Sequence, residues 1–145
     1  MQAFHFTPAD PATSSVIFAS PHSARTYPAD LLQASQLSDL ALRSSEDAYV
    51  DMFLRAAPAA GAHVLLGGAP RAYVDYNRAE SELDPALIAG VSVRARNARI
   101  SSGLGVIPRV VAGGRAIYAG KITRAQAQAR LRGYWQPYHD KLTAL

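Results

Sequence analysis

The sequence predicts an α/β fold, on three observations. A short apolar run, Val16-Ile17-Phe18-Ala19, ends in the polar segment Ser20-Pro21-His22-Ser23-Ala24-Arg25. Two stretches with helical spacing follow it, and two further β-rich runs come after those. Strand, helix, helix, strand, strand is most simply a sheet with parallel members, because parallel neighbours need a long crossover connection and helices supply one.

Taken in order, Met1 to Thr7 reads as a loose tail carrying His5, and Val16 to Ser20 as a buried strand. Pro28 to Leu42 is helical in part, with Leu31, Leu32, Leu37, Leu40 and Leu42 as its apolar residues. Ser44 or Ser45 caps a second helix, Glu46 to Ala57, in which Val50, Phe53, Leu54 and Ala57 recur at helical spacing. Pro58 and Gly61 close it. His63 to Leu66 and Ala72 to Tyr76 read as strands around Gly67-Gly68-Ala69-Pro70. From Ala79 to Gly120 the pattern weakens, and only Ile107 to Val111 and Ala116 to Tyr118 look strand-like. The last segment starts on a capping box, Thr123-x-x-Gln126. Leu131, Tyr134, Trp135, Tyr138, Leu142 and Leu145 then form an apolar stripe, with Pro137 predicting a kink. The stripe runs to the final residue without a C-cap glycine, so the sequence predicts the front part of a longer polypeptide. It also predicts an exposed stripe open to self-association.

Composition narrows the function classes. The 145 residues suit one domain, and 49% hydrophobic with 18% charged residues argues for a folded chain. Cysteine is absent, which removes disulfides and thiolate metal sites. No apolar run approaches the roughly 18 residues of a membrane span, and the N-terminus lacks a secretory pattern, so the expectation is a cytoplasmic protein without a membrane partner. The net charge of +4 comes largely from scattered arginines: Arg94, Arg96, Arg99, Arg109 and Arg115, then Arg124, Arg130 and Arg132. A nucleic-acid surface would gather them on one face with aromatics between. The scatter instead favours an anionic small substrate or a solvated arginine surface.

Two segments can carry chemistry. His22 follows a strand, and the carboxyl edge of an open α/β sheet is where ligands bind. Glu46, Asp47 and Asp51 crowd a predicted helix start, where they also suit the positive end of the macrodipole. If that helix end abuts His22, an imidazole and a carboxylate give two ligands of a zinc site, which usually takes three protein ligands and a water. The third is hard to find: His5 lies in the tail, His63 heads a strand and His139 sits on the terminal helix. The second segment is Asp75-Tyr76-Asn77-Arg78. On a strand Asp75 and Asn77 share a face, and Arg78 at the strand end can offer its planar fork to a carboxylate or pair with Glu80 or Glu82. Arg71 has the same two options.

Together these segments resemble the N-formylglutamate amidohydrolase family. The matching pieces are Ser20-Pro21-His22-Ser23, Ser45 to Asp51, Pro70 to Arg78, Glu82-Leu83-Asp84-Pro85, Gly103 to Arg109, Tyr118-x-Gly120-Lys121 and Pro137-Tyr138-His139, in family order over nearly the whole chain. The resemblance implies a three-layer α/β fold, a mixed or parallel sheet flanked by helices, similar to zinc-dependent carboxypeptidases and incomplete at its C-terminus. It implies hydrolysis of an N-formyl or similar N-acyl amide on a small acidic amino acid, with His22 and Asp47 or Glu46 holding zinc and Asp47 preferred. Asn77 and Arg78 then take the substrate carboxylate, with Arg71 and Arg109 as further substrate-binding candidates. Two departures stand out. Ala24 replaces the family's usual glycine, so that loop must avoid positive φ or bear strain. Family members are also about twice as long, and their second half supplies a further histidine and a glutamate suited to act as general base. An incomplete amidohydrolase and a non-catalytic domain that binds a carboxylated ligand or a protein are therefore the competing readings.

Overall fold

A mixed sheet of three strands organises the molecule, and its centre is the latest of them in sequence. The computed structural model describes residues 1–92 and 97–145, so Arg94 and Arg96 lie outside the described residues. Strand β1 is Phe4–Thr7, β2 is Ile17–Ser20 and β3 is His63–Gly67, in the order β1-β3-β2. β1 pairs antiparallel with β3, Phe4 opposite Gly67, while β2 pairs parallel, Ile17 opposite His63. The parallel pair requires the crossover that the sequence predicts, and residues 21–62 provide it. It carries α1 (Ala29–Ala34), α2 (Asp39–Leu42) and α3 (Val50–Phe53). Val64 and Leu65 of β3 are buried on opposite faces, and Leu65 joins Leu31, Leu42, Val74, Ile88, Ile107 and Ile117 in one core.

Several expectations are corrected. The N-terminus is not a loose tail: Phe4 and Phe6 alternate with His5 and Thr7, the period-two pattern of a half-buried strand. Ala72 to Tyr76 is buried but is not a strand. The Pro70 carbonyl accepts from both Tyr73 N–H and Val74 N–H and winds the segment into a turn. Burial on every side produced the apolar run that reads as a strand. The helix expected over Glu46 to Ala57 shrinks to α3, because Glu46 is extended and Tyr49 adopts a left-handed φ of 64°. Asp47 and Asp51 therefore do not share a helix. The strand-like pieces at Ile107 to Val111 and Ala116 to Tyr118 make single bridges, Val110 to Ala116 and Ser35 to Tyr118. A further short helix, α4 (Ala98–Ser101), precedes them.

The terminal segment starts on the expected capping box at Thr123 and runs as α5 (Arg124–Arg130), a π-helical turn at Leu131–Trp135 and α6 (Gln136–Thr143). Pro137 brings no N–H to the Gly133 carbonyl, and the wider turn accommodates that loss. Its apolar stripe is not exposed as expected. Leu131 and Tyr138 are buried, and Tyr134, Trp135, Leu142 and Leu145 pack against the core. Nor is Arg130 solvated. Its guanidinium lies 4.1 Å from the Tyr73 ring centroid, donates to Tyr118 Oη at 2.6 Å and stands 3.6 Å from Asp30. Among the described residues no helix is long and apolar enough to cross a membrane.

Candidate functional site

The polar residues after β2 meet the 46–49 turn and the 70–78 turn at one end of the sheet. Gly67 at the end of β3 makes this convergence possible, since a Cβ there would collide with the Pro21 carbonyl and with the Tyr76 ring. The 46–49 turn is stitched on by its backbone. Asp47 N–H donates to His22 O at 3.0 Å, and Ser23 Oγ donates to Asp47 O at 3.1 Å. Ala24 stays out of the left-handed region; among the described non-glycine residues Tyr49 alone has positive φ. The Ala24 loop thus avoids positive φ, the first of its two expected options.

His22 is completely buried between two carboxylates. Its Nδ1 lies 3.4 Å from Asp47 Oδ2, and its Nε2 lies 2.9 Å from Asp75 Oδ1. The second contact is close but poorly aligned, and neither ring nitrogen has a well-formed hydrogen bond. Asp75 is the hub of the cluster. Its carboxylate accepts from Asn77 N–H at 2.9 Å and from Arg71 Nε at 3.1 Å, with Arg78 Nε 3.9 Å away. Burial opposes ionisation of Asp75, but His22, Arg71 and the Asn77 N–H outweigh it and hold the carboxyl below the usual carboxylate range. Assigning the Nε2 proton to the Asp75 side leaves the Nδ1 lone pair facing Asp47.

Asp47, whose side chain is 46% exposed, opens into a cleft of about 490 Å³ with Arg71, Asp75 and Glu46 on its walls. Leu104, Pro108 and the Ala112–Gly114 loop close the far side. A larger cleft of about 1010 Å³ around Ser81 to Ala86 and Arg124 holds none of the predicted site residues. The structure thus brings together His22, Asp47 and Arg71 and adds Asp75, which the sequence reading passed over as a ligand-side group. Other candidates have different partners. The Glu46 carboxylate accepts from Tyr27 Oη at 2.9 Å and pairs with Arg43. Arg109 donates to the buried Asp84 at 2.9 Å. Asn77 is exposed, and Arg78 keeps a buried Nε without a hydrogen-bond partner. Arg78 pairs with Asp75 and not with Glu80 or Glu82 as its alternative reading had it.

Two residues of the terminal segment fix this turn from behind. Trp135 Nε1–H donates to Arg78 O at 2.8 Å, and His139 Nε2 contacts Tyr76 O at 2.9 Å, bracketing Asn77. Only tertiary structure reveals these clamps, since more than fifty residues separate donor from acceptor. His63 instead accepts from Ala9 N–H, and His5 faces solvent on β1. Among the described residues no three His, Asp or Glu side chains cluster closely enough to hold a metal ion.

The N-formylglutamate amidohydrolase family profile matches residues 14–145. The crystal structure of N-formylglutamate amidohydrolase from Ralstonia eutropha JMP134 superposes with a TM-score of 0.87 at 33% identity, over 97% of this chain and 50% of that one. The crystal structure of a gene product from Agrobacterium tumefaciens shares the fold, with a TM-score of 0.64 at 18% identity over 99% of this chain and 49% of that one. No curated protein matches. The chain spans about half the length of the solved relatives it matches. With the profile covering nearly every residue and the motif segments converging on one sheet end, the chain belongs to the N-formylglutamate amidohydrolase family.

Proposed function

We propose that this chain carries one part of a metal-dependent amide hydrolase site acting on an N-formyl or similar N-acyl acidic amino acid, with His22 and Asp47 donating to zinc. The observation that supports this most directly is the buried, unpartnered Nδ1 of His22, 3.4 Å from Asp47 Oδ2. Two donors on a tetrahedral zinc with bonds of about 2.0–2.1 Å stand about 3.3 Å apart, so the pair is already at ligand spacing. A zinc ion held there supplies Lewis-acid polarisation of the amide carbonyl and an activated water.

The remaining steps belong to the protein. Asp75, 2.9 Å from Nε2, faces the side of the His22 ring away from Asp47 and holds its orientation. Arg71, on the cleft wall, turns a planar fork towards a substrate carboxylate. Asn77 and Arg78 follow on the same turn, and Arg78 would join Arg71 on a substrate carboxylate by turning away from its 3.9 Å contact with Asp75. Glu46 and Arg109 support the walls through Tyr27, Arg43 and Asp84.

Zinc titration against a chromophoric chelator tests the reading on the chain and on Asp47→Ala, whose exposed side chain keeps the substitution outside the core. Loss of affinity by about tenfold or more in the variant is expected. Zinc binding unchanged by Asp47→Ala would overturn the assignment. Hydrolysis of N-formylglutamate, compared with a neutral N-formyl amino acid, then tests the substrate class.

A further inference from the structure

We propose that Arg25 is a positioning residue for Asp47, holding the turn that carries it against His22. The near end of that turn is tied by its own backbone, through Asp47 N–H to His22 O and Ser23 Oγ to Asp47 O. Neither bond reaches past Asp47, and the chain must still hold Tyr49 in its left-handed conformation. Arg25 stands three residues after His22 and spans the gap from the strand side. Its Nη2 donates to Asp51 Oδ2 at 2.5 Å, and its guanidinium carbon lies 5.2 Å from the Tyr49 ring centroid. One planar cation thus grips the far end of the turn twice, by a charge-assisted hydrogen bond and by lying over an aromatic ring.

Burial makes this grip more than a surface ion pair. The Arg25 side chain is 33% exposed and that of Asp51 18%, and Asp51 Oδ1 is buried without a hydrogen-bond partner. The Asp51 charge therefore leans on Arg25, and without the cation the carboxylate would turn towards water and draw the 49–51 backbone with it. Asp47 would move too. Its carboxylate is 46% exposed, so the backbone of the turn, more than packing around the side chain, decides where it points. This role rests on the reading of His22 and Asp47 as zinc donors only for what the positioning serves. The sign of the effect on zinc separates it from plain electrostatics. A cation near a metal site repels the metal, so loss of its charge alone would tighten zinc binding, whereas loss of the grip weakens it.

Amide exchange followed by NMR on the unsubstituted chain, Arg25→Lys and Arg25→Met tests this, with Val64 and Leu65 of β3 reporting global opening. The expected result is exchange at Asp47 about tenfold or more faster in Arg25→Met, with both β3 amides changed by less than about threefold. Arg25→Lys keeps a charge for Asp51 but offers Tyr49 no plane, so it should lie between the two, at about threefold faster. It decides the case should Arg25→Met not fold. Zinc titration of the same proteins should show affinity about tenfold weaker in Arg25→Met. Asp47 exchange unchanged in every variant that folds, or quickened only in step with Val64 and Leu65, would overturn the proposal. So would tighter zinc binding by Arg25→Met. The exchange samples contain no zinc. An unsubstituted chain that binds no zinc, with Asp47 exchange still quickened in the variants, would therefore overturn the metal reading alone.

Discussion

His22 is a residue whose two nitrogens have divergent surroundings, one against a buried carboxylate and the other against a half-exposed one. The buried partner should matter most for ring orientation. Asp75→Asn keeps the shape but loses the charge that fixes the Nε2 side, and it should weaken zinc binding by about 10–100-fold with the fold intact. Isothermal titration on the two proteins checks this, and equal affinities would make Asp75 an ordinary structural carboxylate. Tyr49 offers a second test. A left-handed φ of 64° in an aromatic residue carries a cost of about 1–2 kcal/mol, which the stitched Asp47 turn maintains. Tyr49→Val, β-branched and less tolerant of that conformation, should lose stability in urea unfolding, whereas Tyr49→Gly should change it by less than about 1 kcal/mol. A Tyr49→Gly variant much less stable than Tyr49→Val would mean that the ring's stacking with Arg25 dominates.

Among the elements, the π-helical turn at Leu131–Trp135 has the widest reach, because it places Trp135 and His139 on consecutive turns facing the 76–78 backbone. Trp135→Phe keeps the ring but removes the N–H donated to Arg78 O. It should cost about 0.5–1.5 kcal/mol and speed amide exchange at Asn77 and Arg78. Exchange unchanged there would show that the turn is rigid without its clamp. The elements also show what was readable from sequence. The strand before His22, β3 and the capping box at Thr123 follow from local pattern, although that first strand is largely exposed and not buried as its apolar run suggests. The pairing of His22 with Asp47 comes from the family resemblance. The helix over Glu46 to Ala57 forms only as α3, because Glu46 is extended and Tyr49 left-handed where the turn is tied to the distant His22 carbonyl. Ala72 to Tyr76 misleads for a related reason: it is apolar because it is enclosed, not because it alternates. Asp75 as a partner of His22 is invisible to any spacing rule, since 53 positions separate the two.

At the scale of the whole molecule, arginine and tyrosine set the response to alkali. Only two lysines, Lys121 and Lys141, are present, so the cationic side chains stay charged well past the range where tyrosines titrate. Burial raises Tyr73 and Tyr138 from 10.0 to about 12, and raises Tyr27, Tyr76 and Tyr118 as well. A folded-state pKa above the unfolded one gives stability that is complete below about pH 10 and lost as pH climbs towards 12. Absorbance at 295 nm should therefore show tyrosines ionising together with unfolding, and a smooth rise near pH 10 in a folded protein would contradict the burial. Arg130 ties this network to the terminal segment through Tyr73 and Tyr118. Arg130→Met should cost about 1–3 kcal/mol, measurable as a lowered urea midpoint, because it leaves the buried Tyr118 hydroxyl without its partner while the exposed Asp30 keeps water and Tyr73.

The placement of β3 between two strands that precede it has a consequence for synthesis on the ribosome. β1 and β2 emerge first but have no partner until Gly67 is exposed, 47 residues after Ser20. At about 5–20 residues per second that interval lasts roughly 2–9 s. Throughout it Phe4, Phe6 and Phe18 are available to chaperones or to neighbouring nascent chains. For Phe18, still 39% exposed after folding, the vulnerable interval does not end when β3 arrives.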